Sequence, residues 1–221
     1  MLPREIKYEG RIHEQVVSNL PRLEFPIEVL HTGYLETDKS ERNIAILTQE
    51  LKNNSRDGYL HYQLARQYKK MNLLEEAEAS LLVNRSESYF TDLVVNYIYT
   101  LMELKKFYLA FEIIDPMKVP LGNSPDFTFV TGLFYMQFVL SDTERNIDFL
   151  PLIERSYLNC IALGQQNQSE IVLGTGSFLA AYNLGVHYEM VNQKEKAKEY
   201  YRFSANYDYA PVKMRLMALL Q

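Results

Sequence analysis

A stretch near the carboxyl end of the chain, residues 181–211, reads AYNLGVHYEMVNQKEKAKEYYRFSANYDYAP. Small residues stand at Gly185 and Ala197, where they let two antiparallel helices approach closely. Tyr188 and Tyr201 are spaced to fill the room between those helices. One such pair cannot bury its own apolar face, so we expect it to stack on neighbouring pairs in a longer array.

The spacing in this stretch resembles that of a tetratricopeptide repeat, a helix pair of roughly 34 residues. The positions that carry the resemblance are Leu184, Gly185, Tyr188, Ala197, Tyr201 and Pro211. The resemblance implies a mainly α fold, a tetratricopeptide-like α-α superhelix that is a right-handed solenoid of antiparallel helix pairs. Arrays of this kind usually present surfaces to partners.

Two further copies of the pattern lie upstream. Residues 57–89 match the template with a turn at residues 70–72, and the matching positions are Leu64, Ala65, Tyr68, Ala77 and Leu81. A weaker copy follows in register, since Ala110 comes 33 residues after Ala77. The sequence therefore predicts at least two stacked pairs before the middle of the chain.

The rest of the helical region is predicted from similar signals. Residues 126–164 indicate a longer, divergent pair with Gly132 and Tyr135 at the small and aromatic positions. Helical periodicity begins after Asp38, and residues 212–220 predict a closing helix that caps the end of the core. Residues 37–221 are thus expected to form one helical repeat domain.

The first 36 residues differ from everything that follows. Their β-branched and aromatic residues favour extended structure, and Pro21 and Pro26 discourage helix. We expect a short β-hairpin or an extended arm there. Unpaired strand edges in such a segment favour association, so a homodimer is a possible assembly.

Composition excludes several classes of function. The formal net charge of -5, from 23 basic and 28 acidic residues, provides no cationic field for nucleic acid. Cys160 is the only cysteine, and its apolar neighbours predict a buried thiol. The longest weakly polar run, residues 127–140, is too short to span a bilayer, so we expect a cytoplasmic protein without a membrane span.

A concave binding groove is the main candidate site. In tetratricopeptide arrays the first helix of each pair lines the concave face, and the template places these residues there: Tyr62, Arg66, Lys69, Tyr99, Glu103, Phe129, Met136, Tyr182 and Glu189. Such an aromatic groove of mixed charge suits a peptide segment, a glycan or a second copy of the chain. The alternative is that these tyrosines only pack between helices.

Two other segments were candidates for chemistry. His13 and Glu14 form an imidazole and carboxylate pair, but on a strand their side chains point to opposite faces. The short run Gly174–Gly176 lacks the lysine of a phosphate-binding loop, so we interpret it as a flexible connector. No histidine pair has the i, i+4 spacing of metal ligands, so we expect neither metal nor cofactor in this chain, and His187 is expected at the surface or in the groove.

The order of the motifs also resembles the carboxyl half of bacterial family 2 glycosyltransferases with tetratricopeptide extensions. The resemblance rests on residues 8–15, YEGRIHEQ, residues 31–34, HTGY, residues 39–43 and the repeats that follow. It implies that residues 1–36 are the remnant of a GT-A catalytic domain that uses a nucleotide-sugar donor with a divalent metal. His13 would then contact the diphosphate or metal, and Glu14 would orient the acceptor.

The chain departs from that family in one respect that affects activity. It contains no Asp-x-Asp motif of the kind that holds the metal and the donor diphosphate. We therefore predict that this chain alone transfers no sugar and that it serves acceptor binding or self-association. The alternatives are a free-standing tetratricopeptide adaptor that binds a protein segment and, less favoured, a small enzyme that uses His13 and Glu14.

Overall fold

A computed structural model describes residues 8–9, 15–16, 39–82, 91–165 and 172–219 of the chain. The chain divides into two compact units, Met1–Glu87 and Ser88–Gln221. The described residues are almost entirely helical, as the repeat spacing predicts. None of the described helices is both long enough and apolar enough to cross a membrane.

The first unit is built from three helices, α1 (Ser40–Asn53), α2 (Gly58–Lys70) and α3 (Leu74–Leu82). Helix α2 begins after Asp57, whose carboxylate accepts a hydrogen bond from the Leu60 amide at 3.0 Å. Helix α2 packs against both α1 and α3, and Leu47, Ala65, Ala77 and Leu81 form the buried contact. The predicted helix pair over residues 57–89 is thus confirmed where it is described.

Two strands precede these helices, β1 (Tyr8–Glu9) and β2 (Gln15–Val16). They pair antiparallel, with Tyr8 opposite Val16 and Glu9 opposite Gln15. Two residues a side are too few to establish the predicted hairpin or arm, and the rest of it lies outside the described residues. The boundary after residue 36 also stays a prediction.

The second unit contains the remaining helix pairs. Its elements are α4 (Thr91–Glu103), α5 (Phe107–Met117), α6 (Pro125–Ser141), α7 (Thr143–Asn146), a 3-10 turn (Ile147–Phe149), α8 (Leu150–Leu163), α9 (Phe178–Met190), α10 (Lys194–Ala205) and α11 (Pro211–Leu219). The pairs are α4 with α5, α6 with α8, and α9 with α10, and α11 packs on α10 as the predicted closing helix.

Close approach of paired helices depends on two glycines. A Cβ placed on Gly185 of α9 would lie 2.5 Å from the Tyr201 ring of α10, and one on Gly132 of α6 would lie 2.8 Å from the Tyr157 ring of α8. Both tyrosines are fully buried. The small residues of the repeat template therefore act as predicted, since each admits an aromatic ring against helix backbone.

The turns in three of the helix pairs, α2/α3, α4/α5 and α9/α10, share one geometry. Asn72, Lys105 and Asn192 each have φ near +58°, the left-handed region. The amide that follows each of them bonds the carbonyl five residues before it, at 2.8–2.9 Å. This is a Schellman arrangement, which satisfies the last carbonyls of a helix. Its recurrence, 33 residues apart in the first two cases, marks α2/α3, α4/α5 and α9/α10 as copies of one unit.

Helix α6 is the central element of the second unit. It packs against α4, α5 and α8, and it is buried on nearly all sides. Rings crowd its carboxyl half, where Phe111 of α5 meets Phe134 at 4.6 Å and Phe138 at 4.9 Å between ring centroids. The divergence of this pair from the template therefore reflects an aromatic core around one long helix.

The connector before α9 is packed rather than flexible, so the interpretation of Gly174–Gly176 is wrong. Thr175 is 1 % exposed and Ser177 is 4 % exposed. Gly174 has φ +97°, and a side chain at Gly176 would meet the Gly164 carbonyl. These glycines permit a tight fold of the backbone. A Gly-rich composition is compatible with either a tight fold or a mobile loop, so the sequence alone does not distinguish the two.

Candidate functional site

The face of α2 carries the first group of predicted groove residues. Tyr62 is largely buried, at 8 % exposure, and the Arg66 guanidinium lies 5.7 Å from its ring centroid. Arg66 itself is exposed, whereas Lys69 is half-buried in the last turn. Tyr62 is therefore mostly packed within the unit, whereas Arg66 is accessible to solvent, and the groove role of both stays a prediction.

Helix α4 repeats the same pair of side-chain types. Tyr99 is half-buried, and burial raises its pKa to about 12, helped by the neighbouring Asp126 and Cys160. Its phenol is therefore neutral at physiological pH and retains its proton for a hydrogen bond. Glu103, four residues later, is exposed. Helices α2 and α4 each place an exposed charge one turn after a tyrosine.

The third group, on α9, is engaged within the chain. Tyr201 donates a hydrogen bond to Glu189 Oε2 at 2.7 Å, and Arg215 of α11 lies 3.4 Å from both carboxylate oxygens. Tyr182 packs 5.2 Å from Tyr209 and accepts a hydrogen bond from Arg215, which raises the Arg215 pKa. Tyr182 is half-buried with its ring against Tyr209, so its role in a groove stays a prediction.

Two residues expected on the groove are in the core. Phe129 is 5 % exposed and Met136 is 8 % exposed, and the Phe129 ring lies 5.8 Å from that of Tyr157. Their expected accessibility is wrong because α6 is surrounded by other helices instead of lying at one surface. Cys160 is fully buried, as its apolar neighbours predict.

His187 is also buried, contrary to its expected place at the surface or in the groove. It is 3 % exposed, its Nδ1 has no hydrogen-bond partner among the described residues, and burial lowers its pKa. Beside it, Tyr188 donates to Glu154 at 2.6 Å, and Lys196 lies 4.8 Å from the Tyr188 ring centroid. This cluster joins α8, α9 and α10 and has a structural role.

A buried polar contact was missed by the sequence reasoning. The Thr175 hydroxyl donates to the Asp126 carboxylate at 2.9 Å, and both residues are at most 2 % exposed. Asp126 lies in the first turn of α6, where the helix dipole favours a negative charge. The contact fixes the connector before α9 against the start of α6.

The predicted catalytic pair, His13 and Glu14, lies outside the described residues, so its role stays a prediction. Among the described residues no three histidine, cysteine or acidic side chains come together as a metal site would require.

Comparison with known proteins bears on the fold alone. No family model matches the sequence, and no curated protein matches it. Solved structures do: MamA from Desulfovibrio magneticus RS-1 superposes with TM-score 0.57 at 14% identity, covering 84% of this chain and 89% of that chain.

Two further solved structures give the same result. YrrB, described as a TPR protein with an unusual peptide-binding site, gives TM-score 0.53 at 20% identity and covers 82% of both chains. PilF from Pseudomonas aeruginosa gives 0.59 at 15% identity, covering 79% of this chain and 71% of that chain. The chain therefore has a tetratricopeptide-like fold of stacked antiparallel helix pairs.

Proposed function

We propose that this chain is a helical-repeat adaptor that binds a segment of a partner protein on its first-helix faces. The observation that carries the proposal is that a first helix in each unit places an exposed charge one turn after a tyrosine, Arg66 on α2 and Glu103 on α4. Exposed charges beside aromatic rings select a partner by electrostatic complementarity, while the rings supply contact area.

The fold supports this proposal. Stacked helix pairs form surfaces that recognise extended or helical segments, and YrrB, which shares the fold, is described as having a peptide-binding site. Arg66 and Glu103 have opposite charge, so we expect the first unit to select an acidic group of a partner and the second unit a basic group. We place such an adaptor in the cytoplasm.

Site-specific photocrosslinking in the source cells tests the proposal. A photoreactive residue replaces Arg66 or Glu103, and Tyr108 on the second helix α5, 81 % exposed, is the matched control position. We expect a discrete partner polypeptide to be captured from each first-helix position and none from position 108. Mass spectrometry of the adducts then identifies the captured segment.

A synthetic peptide of that segment provides the quantitative test. Calorimetry should give a 1:1 complex. Replacing the charge at the position from which the segment was captured, Arg66→Gln or Glu103→Gln, should weaken that complex about fivefold, because one exposed charge pair contributes at most about 1 kcal/mol. Binding that is unchanged in both variants would contradict the proposal.

The link to a glycosyltransferase is a separate prediction. It rests on residues 8–15 and 31–34, most of which lie outside the described residues, so the adaptor function is proposed without it. Turnover of a sugar nucleotide by the purified chain would contradict the prediction that it transfers no sugar. Loss of a dimer in sedimentation on deletion of residues 1–34 would support self-association through that segment.

A further inference from the structure

A pocket of about 320 Å³ opens between α6, α8 and the loop that follows α5. Its floor is apolar, formed by Phe127 and Leu152, and its polar wall includes Lys118, Arg155 and Asn159. This size is at the lower end of the roughly 300–1,000 Å³ usual for ligand pockets. It suits one amino-acid side chain with its flanking backbone.

The pocket lies on a different face of α6 from the one predicted for the groove. Thr128, Thr131 and Tyr135 line it, whereas the groove template uses Phe129 and Met136. At about 100° per residue, the two sets point in directions separated by roughly a third of a turn. A ligand in this pocket therefore uses a face of α6 that the groove template does not include.

Hydrogen-bonding capacity in the pocket is dominated by donors. The hydroxyls of Thr128, Thr131 and Ser156 already donate to backbone carbonyls of their own helices, at 2.7–2.8 Å. The groups left to donate to a ligand are the Arg155 guanidinium, the Asn159 amide and the Tyr135 hydroxyl, with the Lys118 ammonium at the rim. Such a set matches an acceptor-only group.

The charges of the lining residues indicate a ligand with one negative charge. Lys118 is paired with Asp115 at 2.7 Å, whereas no carboxylate among the described residues lies within 4.0 Å of the Arg155 side-chain nitrogens. Asp115 thus neutralises the charge of Lys118, whereas the charge of Arg155 has no carboxylate beside it among the described residues. The planar Arg155 guanidinium can therefore form two parallel hydrogen bonds to a ligand carboxylate.

A second cavity of about 230 Å³ adjoins the first along α8. It shares Arg155 and Asn159 with the first pocket and adds Pro151, Glu154 and Leu158. Leu158 is 38 % exposed, so this part of the surface can accept an apolar neighbour of the anchoring group. Glu154 is already engaged by Tyr188, and its charge discourages a second anion there.

We infer that this pocket binds the carboxylate of a glutamate side chain in a partner peptide. Arg155 and Asn159 hold the carboxylate, Lys118 attracts it at the rim, and Phe127 and Leu152 contact the methylene stem. The adjoining cavity takes the next residue of the peptide. This site is independent of Arg66 and Glu103 and adds a second point of contact for a partner.

Heteronuclear NMR titration of the full chain tests the inference with defined probes. The probes are N-acetyl-glutamate N-methylamide, its glutamine counterpart and inorganic phosphate, and the signals followed are the Arg155 side-chain Nε–H and the backbone amides of α8. Arg155→Gln is the test variant, and Arg145→Gln is the control, since Arg145 is an exposed arginine outside both cavities.

We expect saturable shifts with the glutamate probe, weakened about fivefold in Arg155→Gln and unchanged in Arg145→Gln. Equal shifts with the glutamine probe, or binding that survives Arg155→Gln, would overturn the inference. Tighter binding of phosphate than of the glutamate probe would overturn the carboxylate assignment. Circular dichroism of each variant shows whether the fold is retained, and Lys118→Gln, which changes only the rim, provides a second variant with a smaller expected loss.

Discussion

Replacement of Gly185 by alanine tests whether close approach of α9 and α10 holds the last repeat together. The new Cβ would lie 2.5 Å from two atoms of the Tyr201 ring, whereas ordinary contact begins at 3.4 Å. The ring would have to retreat by about 1 Å. Tyr201 is fully buried, and its hydroxyl is bonded to Glu189 at 2.7 Å, so it cannot move freely.

The expected loss of stability follows from three contributions. Overpacking in a filled core costs about 1–3 kcal/mol. Displacing the tyrosine hydroxyl from the Glu189 carboxylate costs about 1.5–3 kcal/mol if that bond is lost. Alanine offsets about 1 kcal/mol of this, because glycine is a poor helix former. The free energy of unfolding of the second unit should therefore fall by about 1.5–5 kcal/mol.

Urea unfolding followed by helical circular dichroism and by tyrosine fluorescence measures this change, since the chain contains no tryptophan. Gly185→Ala combined with Tyr201→Leu is the control, because the smaller side chain at position 201 removes the clash. The double variant should lose less than the sum of the two single losses. A loss below about 0.5 kcal/mol in Gly185→Ala, the range of ordinary surface changes, would refute the reasoning.

Three further changes have expected outcomes. Thr175→Val should destabilise the second unit by about 1.5–3 kcal/mol, because it removes a hydrogen-bond donor from the buried Asp126 carboxylate. Thr131→Val is the control, since the Thr131 hydroxyl bonds only a backbone carbonyl, and it should cost about 1 kcal/mol or less in the same urea titration. The lowered pKa of His187 should make the free energy of unfolding fall as the pH drops below about 6.5, the unfolded value, because the unfolded state then binds more protons. Urea midpoints measured between pH 7 and pH 5 should lose this contribution to the slope in His187→Gln. Lys105→Gly should stabilise the second unit by about 0.5–1 kcal/mol, since lysine is strained at φ +57°. Lys213→Gly, inside α11, should destabilise the unit by a similar amount, because glycine is a poor helix former. Changes in stability of the same sign in the two variants would contradict the turn assignment.

The helix pairs were predictable because their signals are local and periodic. Gly185 and Gly132 stand at the small position of the template, and the ring that each admits is on the partner helix, as the spacing predicts. The turn at Asn72 lies within the predicted residues 70–72. Such features depend on residues fewer than about 35 positions apart, the length of one repeat.

Contacts that cross the repeat pattern were not predictable from it. Thr175 bonds Asp126, which lies 49 positions earlier in the chain. Neither the Gly-rich composition of the connector nor the charge of Asp126 indicates that these two residues meet. Phe129 and Met136 occupy groove positions of the template, but their burial depends on which helices surround α6. The contact between Tyr182 and Arg215 was also missed, although the sequence could have indicated it. Arg215 follows Tyr182 by 33 residues, close to the length of one repeat.

The shared left-handed turns also bear on how the chain reaches its fold. Each turn joins two helices that pack on one another, so most contacts of a pair connect residues near in sequence. Local contacts close with little loss of chain entropy, and chains dominated by them fold rapidly. Asn72, Lys105 and Asn192 therefore mark separate sites where folding can begin, with growth by addition of neighbouring helices.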